Sequence, residues 1–284
     1  MPPRILASLG AAALLAACSV SQDQEVQIGR QNAEQINAQL PLVQDPPIAN
    51  YVQQLGMAIA KTTSRADLDW QFFIVDSKEV NAFALPGGFI YVNRGLIEHT
   101  ARLDELAGAI GHEIGHVVRR HSVQQMEKAT GANVAVGLTC TLTRICESNV
   151  AQAAIQVGGA ALFARYSRHD EMEADSEAVV NVIRAGIDPE GIPTLFEKLL
   201  QERRTSPMRI EAFFASHPLE EDRIQRTAQE IASLDPSITR GLVKDQPSYH
   251  QFQERLRSLP PPPEPVGRQL SPGQLRQTSE GARR

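Results

Sequence analysis

A chain of 284 residues with 42% hydrophobic and 21% charged residues has the composition of a folded protein long enough to bury a core, which excludes fibrous architecture and wholesale disorder. A net charge of −5 implies no strongly basic surface and argues against nucleic acid as a partner. Three cysteines are too few for a disulfide scaffold, so their positions matter more than their number.

The chain opens with one positive charge, Arg4, ahead of an apolar run from Ile5 to Ala17. That run is shorter than the roughly 20 residues that span a bilayer, and residues 1–17 read as a secretory signal. The run ends Leu15-Ala16-Ala17-Cys18, which resembles the bacterial lipobox. In a lipobox small residues admit the signal peptidase and the cysteine thiol takes the lipid. The plainer alternative is an ordinary signal peptide followed by an incidental cysteine. On the lipobox reading the mature chain starts at Cys18, and two or more acyl chains there anchor it stably. Ser19, in place of the aspartate that retains such proteins in the inner membrane, implies an outer-membrane protein facing the periplasm. Residues 18–24 are then a lipidated polar tether.

Residues 25–256 are predicted to form one domain. Val26, Ile28, Ala33, Ile36 and Leu40 give Glu25–Leu40 the period of an amphipathic helix, which Pro41, Pro46 and Pro47 end. A second helix is predicted from Ile48 to Lys61. Trp70–Val75 is rich in β-formers and reads as a strand. Pro86-Gly87-Gly88 is a turn between two β-like runs, Asn81–Leu85 and Phe89–Val92, expected as a hairpin or adjoining strands. One long helix is predicted from Leu103 to about Lys128. Residues 132–165, rich in Ala and Gly, read as two small-residue helices. Cys140 and Cys146 lie between them, as a local disulfide in the oxidising periplasm or as two free thiols. Further helices are predicted over Glu171–Ala185, Ile192–Arg204 and Leu219–Leu234. Residues 257–284, dominated by Pro, Gly, Ser and Arg, read as a disordered tail.

The chemistry concentrates at His112-Glu113-Ile114-Gly115-His116. Residues i and i+4 share a helix face, so both imidazoles can reach one ion. Zinc takes neutral imidazole and, in catalytic sites, keeps a position for water whose proton Glu113 can accept. The apolar neighbours Ala107, Ile110, Val117 and Val118 do not suit a merely solvated face. Arg119 and Ser122 stand where a third nearby histidine ligand and its glycine would be, so the third ligand must come from a later segment. His121, five residues after His116, is predicted to face away. Glu171 and Asp175, four apart, are candidates: one carboxylate for the metal, the other for the outer nitrogen of a ligand histidine. An acidic helix N-terminus is the competing explanation of the same acids.

NAFALPGGFIYVNRGL, ELAGAIGHEIGHVVRRH, YSRHDEMEAD and SHPLEEDR together resemble the HtpX-like, CAAX-prenyl-protease-type family of zinc metallopeptidases, in family order over about residues 25–235. The resemblance implies a zincin-type α+β domain, mainly α-helical, with a small β-sheet and an active-site helix. It implies one Zn2+ held by His112, His116 and Glu171, with Glu113 as the base. It also marks His217 of the His-Pro box, either as an oxyanion donor, the favoured role, or as a plug in zinc's open position; a surface histidine is the bland alternative. Asn81, Ala82, Phe83 and Ala84 look like the edge strand on which substrate pairs, or else an ordinary core strand. The expected function is an endopeptidase acting on misfolded or stalled envelope proteins. A non-enzymatic zinc-stabilised lipoprotein and a peptidoglycan-directed metalloenzyme are the rival classes, and Glu113 disfavours the first because a structural site needs no base.

Overall fold

The computed structural model describes residues 20–128, 166–205, 207–218 and 221–263. The expected signal peptide, Cys18 and the cysteines Cys140 and Cys146 lie outside the described residues, as do the helices expected over 132–165. Ser21 opens helix α1 (Gln22–Gln39): its hydroxyl accepts from the Gln24 amide while the Gln24 side chain accepts from the Ser21 amide. This capping box starts the helix inside the stretch read as tether. Asp45 caps α2 (Pro46–Ala60) by a single bond, accepting from the Ile48 amide.

Three strands follow: β1 (Gln71–Val75), β2 (Ala82–Leu85) and β3 (Phe89–Asn93), in the order β1-β3-β2. β1 runs parallel to β3, and β2 pairs antiparallel with β3 across the Pro86-Gly87-Gly88 turn, as the hairpin reading expects. Gly87 and Gly88 both have positive φ, which explains the residue type. Alternation sends Phe72, Ile74, Ala82, Ala84, Ile90 and Val92 into the main core. Val75, Leu85, Phe89 and Tyr91 turn the other way and pack with Ala33 and Ile36 of α1.

After α3 (Arg94–His99) comes α4 (Leu103–Val118), which is buried on every side. Here the expected single helix to Lys128 is corrected. Arg119 and Arg120 form a turn, Arg120 has φ 58°, and helix resumes over residues 121–128. The break is held from outside. Glu25, itself buried, accepts from Arg120 Nε at 2.8 Å, from Arg65 Nη1 and Nη2 at 2.7 and 3.0 Å, and from the Gly87 amide at 3.2 Å. Arg65 Nη1 also donates to the Val117 carbonyl at 2.9 Å.

Helix α5 (Arg168–Arg184) starts at a second capping box, Ser167 with Asp170. It packs on α4 so closely that a Cβ on Gly115 would lie 2.8 Å from the Ala174 carbonyl oxygen. Next come α6 (Gly191–Thr205), α7 (Pro207–Ser216), α8 (Glu221–Ala232), the single turn α9 (Pro236–Thr239) and α10 (Pro247–Ser258). Neither α7 nor α10 was expected. α10 buries Tyr249, Phe252 and Leu256, and Phe252 stacks on Tyr51 of α2 with ring centroids 4.4 Å apart. It also crosses the predicted domain end at 256. Leu259 packs on the core and the Pro260 carbonyl accepts from Arg94 Nη1 at 2.7 Å, so the first residues of the supposed disordered tail are held. The mainly helical α+β class with a small sheet stands. Among the described residues no helix is long and apolar enough to cross a membrane.

Candidate metal centre

His112, Glu113 and His116 project from α4 and meet Glu171, which stands in the first turn of α5. All four are essentially buried. His112 Nε2 and His116 Nε2 lie 3.0 Å apart, and each lies 3.5 Å from a Glu171 carboxylate oxygen. His217, just after α7, brings Nδ1 to 3.1 Å from Glu171 Oε1 and 3.4 Å from His112 Nε2. An ion about 2.0–2.1 Å from four tetrahedral donors holds them about 3.3–3.4 Å apart. The donors His112, His116, Glu171 and His217 are spaced for such an ion, and their donor set can hold a metal. The close contact at Gly115 is what lets Glu171 reach across from α5.

The surrounding charge fits the same reading. Asp175 Oδ1 stands 2.9 Å from His112 Nδ1, on the outer side of that ring. Arg223 of α8, 1% exposed, donates from Nε and Nη2 to Asp175 at 2.9 and 2.7 Å, from Nη1 to Glu171, and from Nη1 to the Pro218 carbonyl at 3.0 Å. Burial opposes a charge on His112, yet Asp175 and Glu171 outweigh it and push its pKa up to about 10. Burial and the neighbouring His112 hold His116 well below the usual histidine value. For Glu171, burial is outweighed by His217 and His112, and the carboxyl stays well below its ordinary range. Burial pushes Glu113 up, against the pull of His217 and His112. Its Oε2 has no hydrogen-bond partner, and its Oε1 lies 3.5 Å from His217 Nε2.

Other sequence-marked residues fall variously. Ala82, Phe83 and Ala84 lie in β2 at the margin of the sheet; Asn81 just precedes it. Tyr166 stacks on His116 with centroids 3.8 Å apart and shares a 2.9 Å hydrogen bond with Ser122 Oγ. His121 does not face away: its Nδ1 lies 2.9 Å from His116 Nδ1, because the turn at Arg120 swings it back. His169 is exposed and His250 hydrogen-bonds Asp245 at 2.7 Å.

Sequence reasoning gave Arg223 no role. Two acids four apart on a buried face are the signal that demanded it, since buried carboxylates need a cation or donors. Arg223→Ala is expected to destabilise the fold by about 3–5 kcal/mol, because two carboxylates lose their buried partner. Arg223→Lys should recover only part of this, for an ammonium cannot fork between both acids. Thermal unfolding of the two variants beside the wild type checks it; an alanine variant of unchanged stability would dismiss the role.

The comparisons with known proteins enter at this geometry. The chain is 29% identical over 238 residues to the Beta-barrel assembly-enhancing protease of Escherichia coli (strain K12), covering 80% of this chain and 47% of that protein. It is 32% identical over 160 residues to the Metalloprotease LoiP of the same organism, covering 55% of this chain and 61% of that one. It is 34% identical over 144 residues to the Mitochondrial metalloendopeptidase OMA1 of Arabidopsis thaliana, covering 50% and 28%. The chain spans about half the length of the curated assembly-enhancing proteases it matches. The sequence profile of peptidase family M48 matches residues 47–231, a span running from α2 through α8 and so taking in every donor of the centre. By that match, which bears out the resemblance read from the motifs, the chain belongs to peptidase family M48.

Proposed function

We propose that this chain is a zinc-dependent endopeptidase of the bacterial envelope. The observation that carries the reading is the pairing of three buried donors, His112, His116 and Glu171, with a second buried carboxylate, Glu113, that is outside the donor set and keeps an oxygen without a partner. A bound Zn2+ would polarise the scissile carbonyl and make water acidic enough to attack near neutral pH. Glu113 takes the proton of the attacking water and hands it to the leaving amine. Asp175 stands 2.9 Å from the outer nitrogen of His112, the side from which it would orient that ring, and Arg223 fixes Asp175 and Glu171 together. β2, at the sheet margin, is the strand beside which an extended substrate would lie, and backbone pairing there tolerates many sequences.

The clients proposed are misfolded or stalled envelope proteins. Relatives named for β-barrel assembly support an envelope setting. So does the lipobox-like Leu15-Ala16-Ala17-Cys18, through which the chain would be anchored by lipid to the outer membrane, facing the periplasm. Metal analysis of the fragment from Ser19, together with digestion of unfolded casein and of muropeptides, tests the whole reading. One zinc per chain and cleavage of casein alone is the expected result. Muropeptide cleavage without proteolysis would move the enzyme to peptidoglycan, and zinc with neither activity would favour a structural lipoprotein.

His217 has two proposed roles, and its placement favours the plug over the oxyanion donor. Its Nδ1 sits at ligand spacing, and its Nε2 faces the base. A neutral imidazole there fills the position that substrate needs. His217→Ala is therefore expected to raise turnover on an unfolded protein while weakening zinc binding. A fall in turnover of about 10²–10³ with zinc affinity intact would assign the oxyanion role instead.

A further inference from the structure

His121 has no part in the reaction described above, yet it is buried against the centre. Its Nδ1 lies 2.9 Å from His116 Nδ1, and its Nε2 lies 3.3 Å from Glu173 Oε2 and 4.0 Å from Asp170 Oδ1. The turn at Arg119-Arg120 brings it there; a continuous helix would carry it to another face.

Proton accounting fixes the direction of these contacts. A neutral imidazole that gives its Nε2 lone pair to a metal carries its one proton on Nδ1. For His116 that proton points at His121 Nδ1, which must therefore accept it. His121 then carries its own proton on Nε2, and the acceptor facing that proton is the Glu173 carboxylate.

We infer that His121 is a positioning residue for the metal: with Glu173 it forms a two-step hydrogen-bond relay that fixes the tautomer and orientation of His116. The inference rests on the proposed metal site. It gives His116 what Asp175 gives His112, a partner on the outer ring nitrogen, which is how ligand histidines are usually oriented. His121, Asp170 and Glu173 also stand close enough together to share an ion of their own. The same accounting excludes that use while His116 is metal-bound, because His121 Nε2 then has a proton where a cation needs a lone pair.

The test uses the chain from Ser19 and reads Zn2+ affinity by chelator competition, with Zn2+ stoichiometry. His121→Leu keeps the volume and removes the acceptor; a loss of about ten- to a hundredfold in affinity is expected. His121→Asn places an amide oxygen where Nδ1 accepts and should restore most of it. Glu173→Ala, at the partly exposed end of the relay, should weaken binding less than the leucine variant, and it keeps the test alive if that variant does not fold. Imidazole 15N shifts of the zinc-loaded wild type should show His116 protonated on Nδ1 and His121 on Nε2. Equal losses in the leucine and asparagine variants would reduce His121 to packing. Unchanged affinity in Glu173→Ala, the opposite tautomer at His121, or a second zinc lost with His121 would overturn the relay. Failure of the wild type to bind zinc at all would instead overturn the metal reading on which it rests.

Discussion

Glu113→Gln is expected to bind zinc as the wild type does and to lose about 10²–10⁴-fold in turnover, the range a positioned general base contributes. The side chain is isosteric, and Glu113 is no member of the donor set, so the ligands keep their places. What changes is the proton acceptor. Oε2 is buried, unpartnered and on the same helical turn as the two histidines. Burial raises its affinity for a proton, which suits a group that must take one and give it up again within each cycle. Zinc content by mass spectrometry beside casein hydrolysis is the measurement. Near-full activity in a zinc-loaded variant would end the proposed mechanism.

Glu171→Ala should have the larger effect on the metal itself. It removes one of the three donors other than His217, and the only carboxylate among the four. It also deprives Arg223 of one of its two acids, although Asp175 still accepts from Nε and Nη2. The fold should therefore persist while zinc is lost during purification and proteolysis goes with it. Circular dichroism with metal analysis separates the two outcomes. Stoichiometric zinc with activity intact would place the third ligand elsewhere.

How far the centre could be read in advance follows from where each partner sits along the chain. His112, Glu113 and His116 share one helical turn, and the i, i+4 rule is local. Glu171 and Asp175 obey the same rule, but which of them meets the metal depends on the approach of α4 to α5 at Gly115, a contact no single segment announces. Arg223 meets acids 48 and 52 positions away. His121 was misplaced for a different reason: the periodicity of the flanks continues through Arg120, and the break there is imposed by Glu25, 95 residues upstream. The hairpin was legible because Pro86-Gly87-Gly88 dictates it locally. α10 was not, since most of its residues are polar and its apolar ones acquire meaning only against Tyr51 and α3.

The buried Glu25 junction also governs how the chain would sit at a membrane. Beside it, Val20 is pinned twice: its amide donates to Glu127 Oε1 at 2.8 Å and its carbonyl accepts from Arg120 Nη2. A lipid on Cys18, as proposed, would lie two residues, at most about 7 Å of chain, from the point where the folded body holds Val20. An enzyme on so short a leash does not sweep a volume. Under that proposal it would travel in a plane and meet clients at the effective concentration the leash sets. Lengthening that link with Gly-Ser repeats would change which clients come within reach and leave the metal centre as it is.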